Sequence, residues 1–313
     1  MKDITGLSIN TQKSKIYFSK GCTHKEELKY IIGFPEGFMP TKYLGIPLSE
    51  NYLKPMHYSS LIDKCRERLE GWSGQTLSFS CRTELLKTVI QGIASYWIHS
   101  YKLPPSVCRE LDKLCANFLW KGRVHAWRWS AICKPKSERG RGRGRLRSFQ
   151  DINKVAICKR FWIYCNNETI WASRMKQHYK KHYTISEDSA HLMDSMAWKD
   201  LCQVRQVMLE HIYQAPHGLR QWRPHQSGVL SFKSAWKVIR SHSTTFDLAN
   251  VVWYPNHCPK ISTCLLRAVQ DKLLTRARLK QFGVVEQDTC VLCYSTTCSS
   301  AAPTPHTFGL YAS

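Results

Sequence analysis

Thr41-Lys42-Tyr43-Leu44-Gly45-Ile46-Pro47-Leu48 opens the stretch that decides the fold, and LIDKCRERLEGWSGQTLSFSCRTELLKTVI, residues 61–90, continues it. Tyr43, Leu44, Ile46 and Leu48 are apolar or β-prone, and Pro47 restricts them to an edge or terminal strand. Leu61, Ile62, Cys65 and Leu69 recur at helical spacing, with Lys64, Arg66, Glu67 and Arg68 on the other faces. Leu85, Leu86, Val89, Ile90 and Ile93 repeat the pattern over about Arg82 to Trp97. A short strand thus feeds two amphipathic helices with basic outer faces.

Outward from there, Pro104-Pro105 suits the first turn of a third helix, with Val107, Leu111, Leu114, Phe118 and Leu119 as its apolar stripe and Gly122 as its terminator. A fourth is predicted over Asp151 to Cys165, with Asp151 as its cap. Shorter helices are expected at Trp171 to Tyr179, Trp198 to His211, Ser231 to Arg240 with Ser231 as its cap, Ile261 to Leu273 and Thr275 to Phe282. Toward the N-terminus, strands are expected near Ile9 to Phe18 and at Ile31 to Phe34. Trp120, Trp127 and Trp129 lie among Lys121, Arg123 and Arg128; interleaved aromatics and cations can stack bases and clamp phosphates, and they can equally be core beside a basic surface, which is the expectation for at least two of the three. Lys134 to Arg147 holds Lys134 and Lys136, then Arg139, Arg141, Arg143, Arg145 and Arg147 in Arg-Gly alternation, with Glu138 its one acid; it cannot bury an apolar face and reads as an electrostatic loop.

The 313 residues carry 46 Lys and Arg against 23 Asp and Glu, a formal charge of +23, which points to a polyanionic partner, nucleic acid above all. Hydrophobic content of 43% excludes a disordered chain. No apolar run approaches the roughly 20 residues of a membrane span, and MKDITGLSIN lacks the apolar core of a secretory signal, so an intracellular protein, nuclear or cytoplasmic and not secreted, is expected. The 14 cysteines are mostly single within helical patterns, as in Cys65, Cys108, Cys115 and Cys158, and are expected reduced and in the core. Cys290 and Cys293 alone have metal-ligand spacing. His178, His182, His211, His217 and His225 lack paired cysteines or a nearby carboxylate and carry little metal signal.

KYLGIPL, the 61–90 string and SYWIHSYKLP resemble the segment after the polymerase palm in plant LINE-type (non-LTR) retrotransposon reverse transcriptases, and the likeness continues in order through LCANFLWKG, CKPKSERG, SFKSAWKVI and TCVLC. The resemblance implies a mainly α chain. A short N-terminal β remnant of the palm would fill 1–55, a helical thumb-like bundle 56–165 and a connector 166–227. A small α-helical domain of zinc-knuckle type, truncated, would fill 228–313. It implies RNA or RNA–DNA template–primer as partner, and the candidate contacts are Lys64, Arg66, Arg68, Lys121, Arg123, Arg128, Arg139, Arg141, Arg143, Arg145 and Arg147; where the last five stand the family has a Glu-Gly-Gly-Leu-Gly-like turn, so they read as decay or expansion of that turn or as an RNA-binding element. The family's Asp-Asp hairpin, expected just before GLSINTQKSK, is missing, and no Asp-Asp pair occurs anywhere. Two-metal polymerisation needs carboxylates holding ions about 4 Å apart, so no catalytic residue, no bound Mg²⁺ and no enzymatic activity are expected of the chain as it stands. In the family a His half-site follows the Cys-x-x-C; here Cys298 and His306 are the available partners for Cys290 and Cys293, with no cysteine after His306, so zinc is expected weakly or not at all at an incomplete site. Leu265 and Arg267 replace the family's Phe and Trp. A host-reused RNA- or DNA-binding protein and a decayed reading frame without activity remain open beside the retroelement fragment.

Overall fold

The computed structural model describes residues 9–19, 21–49, 52–121, 127–138, 146–179, 194–214, 220–240, 242, 244–255, 258–270, 273, 275–281, 283–289 and 294. The chain is mainly helical, with two two-stranded antiparallel sheets among these residues.

Near the N-terminus the two expected strands do not form. Lys25–Ile32 is a helix, α1, because Lys-Glu-Glu-Leu-Lys is a strong helix-forming run with Glu26 and Glu27 at its positive end, and this outweighs the β-branched pair Ile31-Ile32. Only a single bridge joins Ile16 to Glu36. KYLGIPL folds not as one strand but as a hairpin, β1 (Thr41–Tyr43) against β2 (Ile46–Leu48). Leu44 and Gly45 both take positive φ, 50° and 82°, the geometry of a two-residue turn whose twist matches the strands. The Tyr96 hydroxyl donates to the Leu44 carbonyl at 2.7 Å. Pro47 is tolerated because both strands are edges.

α2 (Ser59–Ser73) buries Leu61, Ile62, Cys65 and Leu69, as its periodicity predicts. α3 (Phe79–Leu85) starts at Ser78, whose Oγ accepts from the Cys81 N–H, and runs through a π-helical turn at Leu86–Ile90 into α4 (Gln91–Ser100). α5 (Pro105–Trp120) opens on Pro105 as expected. It ends at Lys121, left-handed at φ 53°; Gly122, the expected terminator, lies outside the described residues. The Arg82 guanidinium makes that end possible by donating to the Leu119 and Phe118 carbonyls at 2.7 and 3.4 Å. α6 is Trp129–Cys133.

α7 (Phe149–Asn166) is the central helix, with buried side chains on nearly every face. Its cap is Ser148, whose Oγ accepts from the Asp151 N–H; Asp151 sits instead in the first turn, where its charge suits the helix dipole. The first half of α7 packs into a core with α2 to α5, and Phe246, Val252 and Leu266 from farther along join it. Its second half packs into a separate core with α8 (Ile170–Tyr179), α9 (Met196–His211) and α10 (Phe232–Ile239). There Tyr179 stacks on Trp198 at 4.2 Å, and the Trp222 indole donates to Ser234 at 3.0 Å. β3 (Ile212–Gln214) pairs with β4 (Arg220–Trp222) beside this core. Asn153 on α7 holds the entry to α5, accepting from the Leu103 N–H at 3.0 Å and donating to its carbonyl at 2.9 Å. α11 (Ala249–Val252), α12 (Pro259–Val269) and α13 (Arg276–Gln281) follow.

Asp112 on α5 is the clamp for the helices after it. One carboxylate oxygen accepts from the Trp129 indole at 2.7 Å and from the Phe149 N–H at 3.1 Å. Burial raises its pKa from 3.8 to about 6, and the two hydrogen bonds oppose the shift without cancelling it. Cys65, Cys108, Cys115, Cys133, Cys158 and Cys165 are free and buried, and burial pushes the Cys65, Cys108 and Cys158 thiols up to about 12. They are unreactive core side chains.

Candidate nucleic-acid interface

The basic residues singled out on α2 follow from its amphipathicity. Burying Leu61, Ile62, Cys65 and Leu69 leaves Lys64 and Arg68, one helical turn apart, exposed. Arg66 is engaged, with Nη1 2.7 Å from Asp63 and Nη2 3.3 Å from Glu110. Arg66 and Lys121 line a groove of about 270 Å³ between α2, α3 and α5, together with Trp72, Phe118 and Arg82. Arg128 is exposed at the start of α6, outside this groove. Trp127 is buried, and Trp120 and Trp129 are partly buried against the core, so the tryptophan cluster is packing rather than a stacking platform. Arg123, Arg139, Arg141, Arg143 and Arg145 lie outside the described residues.

A second groove, of about 620 Å³, is more basic. On one side are Lys134 and Lys136, in the turn after α6, and Arg147; on the other are Lys233 and Lys237 of α10, with Trp236 between them in sequence. Trp253 also lines it, and among the described residues no carboxylate does. Its cations lie against its aromatic rings. The Lys136 ammonium is 4.7 Å from the Trp253 ring centre, and the Arg147 guanidinium is 4.8 Å from that of Phe232 and 5.1 Å from that of Trp236.

What joins the two walls is a buried ion pair. Glu138, 7% exposed, takes two hydrogen bonds from Arg240, 10% exposed: Nη1 to Oε2 at 2.6 Å and Nη2 to Oε1. Beside it, the Phe246 N–H donates to the Ser137 carbonyl at 2.8 Å. Of the residues singled out from sequence, only Arg147 lies in this groove; Lys134 and Lys136 were noted there merely as part of the basic loop. Lys233, Lys237 and Trp253 were missed, although Lys-x-x-x-Lys flanking a tryptophan on one short helix was a readable signal.

Among the described residues no group of three His, Cys, Asp or Glu side chains is placed to hold a metal. Cys290, Cys293, Cys298 and His306 lie outside the described residues. By their chemistry, three thiols and an imidazole are donors that zinc accepts in structural sites. No described helix is long and apolar enough to cross a membrane.

Comparison with known proteins places these features. Residues 230–300 match the family described as zinc-binding in reverse transcriptase, a stretch that takes in Cys290, Cys293 and Cys298 and stops before His306. A protein of Arabidopsis thaliana named "Putative ribonuclease H protein" is 25% identical over 193 residues, which cover 60% of this chain and 30% of that relative. The chain thus spans under a third of the relative's length. The segment that carries one wall of the larger groove, from α10 onward, therefore corresponds to the zinc-binding region in the C-terminal part of reverse transcriptases.

Proposed function

We propose that this chain is the C-terminal part of a LINE-type retrotransposon reverse transcriptase and that it grips an RNA–DNA template–primer through its basic helical bundle. The observation that carries this reading is the +23 charge together with its placement on exposed helix faces, at Lys64, Arg68 and Arg128, and beside the smaller groove, lined by Arg66 and Lys121. Such a surface neutralises phosphates and has no comparable role toward a neutral ligand. On this reading the chain acts as grip and not as polymerase, because no Asp-Asp pair occurs in its sequence. The test is binding to a labelled RNA–DNA duplex as salt is raised. With Mg²⁺ and nucleotides added to the same duplex, no primer extension by the purified chain is expected, and extension would overturn that part of the reading.

Zinc, if held, would sit on Cys290 and Cys293, with Cys298 and His306 completing the donor set, and it would supply structural cross-linking of the C-terminal segment. The spacing of the last two donors departs from the family's His half-site, so affinity should be low. Native mass spectrometry is expected to find much less than one zinc per chain. A stoichiometric zinc, lost in Cys290→Ser, would show the site to be complete.

A further inference from the structure

We propose that the larger groove, between the turn at 134–137 and α10, is a binding site for single-stranded nucleic acid, distinct from the duplex grip on α2. Phosphates would lie on Lys233 and Lys237 and on Lys134 and Lys136 opposite, with a base taking the place of the Arg147 guanidinium over Trp236 or of the Lys136 ammonium over Trp253. The inference rests on the reading that the chain binds nucleic acid at all, and it names a ligand form and a place.

Three observations carry it. The groove's volume of about 620 Å³ falls within the roughly 300–1,000 Å³ of small-ligand sites. That is room for a nucleotide unit and not for a double helix, which would touch only the rim. Cations line both walls and, among the described residues, no carboxylate does, so the potential inside favours an anion from either side. The apolar part of the lining includes the indoles of Trp236 and Trp253. Paired bases cannot reach an indole within a groove, whereas unpaired bases stack on one irrespective of sequence. An acidic peptide would match the charge but would leave the rings without a flat partner.

The test uses the full chain and four labelled probes: a 12-nucleotide oligouridylate, an abasic strand of equal length, polyglutamate and an RNA–DNA duplex. Lys233 and Lys237 are exposed, so Lys233→Glu/Lys237→Glu should fold, as a thermal melt will check. Its affinity for the oligouridylate is expected to fall roughly 10- to 30-fold at 0.1 M salt, the loss of two single-strand phosphate contacts. Duplex affinity should stay within about twofold, because those lysines face the groove. Lys64→Glu/Arg68→Glu should do the reverse. The proposal is overturned if Lys233→Glu/Lys237→Glu binds the oligouridylate like the parent, or loses both probes equally. It is also overturned if the abasic strand or polyglutamate binds the parent as tightly as the oligouridylate. If the parent binds the single strand and not the duplex, the duplex grip fails and the groove stands; if it binds neither, both fall.

Discussion

Glu138→Ala is expected to destabilise the protein by about 3–5 kcal/mol, because it leaves a buried guanidinium without its counter-ion. Arg240 is 10% exposed and Glu138 7%, so water cannot take over the lost partner. The remaining neighbour of Arg240 is the Trp236 ring, 5.1 Å from the guanidinium, and a cation–π contact replaces only part of a bidentate ion pair. His242, with Nδ1 3.8 Å from the Glu138 carboxylate, would lose a contact as well. Urea unfolding measures the effect. The double variant Glu138→Ala/Arg240→Met should recover much of the loss, since removing both charges removes the uncompensated one. A Glu138→Ala midpoint within error of the parent would mean that the pair does not tie the 136–138 turn to α10, and the larger groove would lose its structural basis.

Asp112 should give stability a pH dependence opposite in sign to that of a paired carboxylate. In the unfolded chain its carboxyl ionises near 3.8, and in the folded protein near 6. Between these values the folded state keeps a proton that the unfolded state has released, so raising pH favours unfolding. Stability should therefore fall from about pH 4 to about pH 6, by on the order of 2 kcal/mol given that the group keeps some solvent contact, and level off above. Asp112→Asn isolates this contribution. The amide oxygen can accept from the Trp129 indole and the Phe149 N–H as the carboxylate oxygen does, while the ionisation is gone. The difference in unfolding free energy between Asp112→Asn and the parent is expected to grow in the variant's favour from pH 4 to pH 6. Two curves that stay parallel across that range would show that Asp112 is not buried against α6 and α7 as described.

Much of the bundle was legible because single helices record their own burial. Leu61, Ile62, Cys65 and Leu69 fall on one face by spacing alone, and that face is buried. Ser231 was readable as a cap and receives the Ser234 N–H at 3.1 Å. The misreadings have local causes. Ile31-Ile32 suggested a strand, and the charged run before it, with its own capping charges, made a helix. At the end of α5, Arg82 binds the carbonyl of Leu119, 37 residues on, where Lys121 takes the left-handed conformation, a contact that no local pattern shows. The candidate site was less legible than the fold for the same reason on a larger scale. Its basic character was evident from charge, and Arg147 was singled out. The larger groove, however, exists because Glu138 and Arg240, 102 residues apart, find each other, and no periodicity encodes such a pair. The Cys290 and Cys293 spacing was legible and agrees with the family matched at 230–300.

The affinity of the purified chain for a labelled RNA–DNA duplex, measured between 50 and 200 mM salt, bears most directly on the account. About five phosphate contacts, at a slope near −0.9 each, predict a loss of roughly 10²–10³-fold over that range. An affinity that stays flat across it would contradict the claim that this basic helical surface is built to hold nucleic acid.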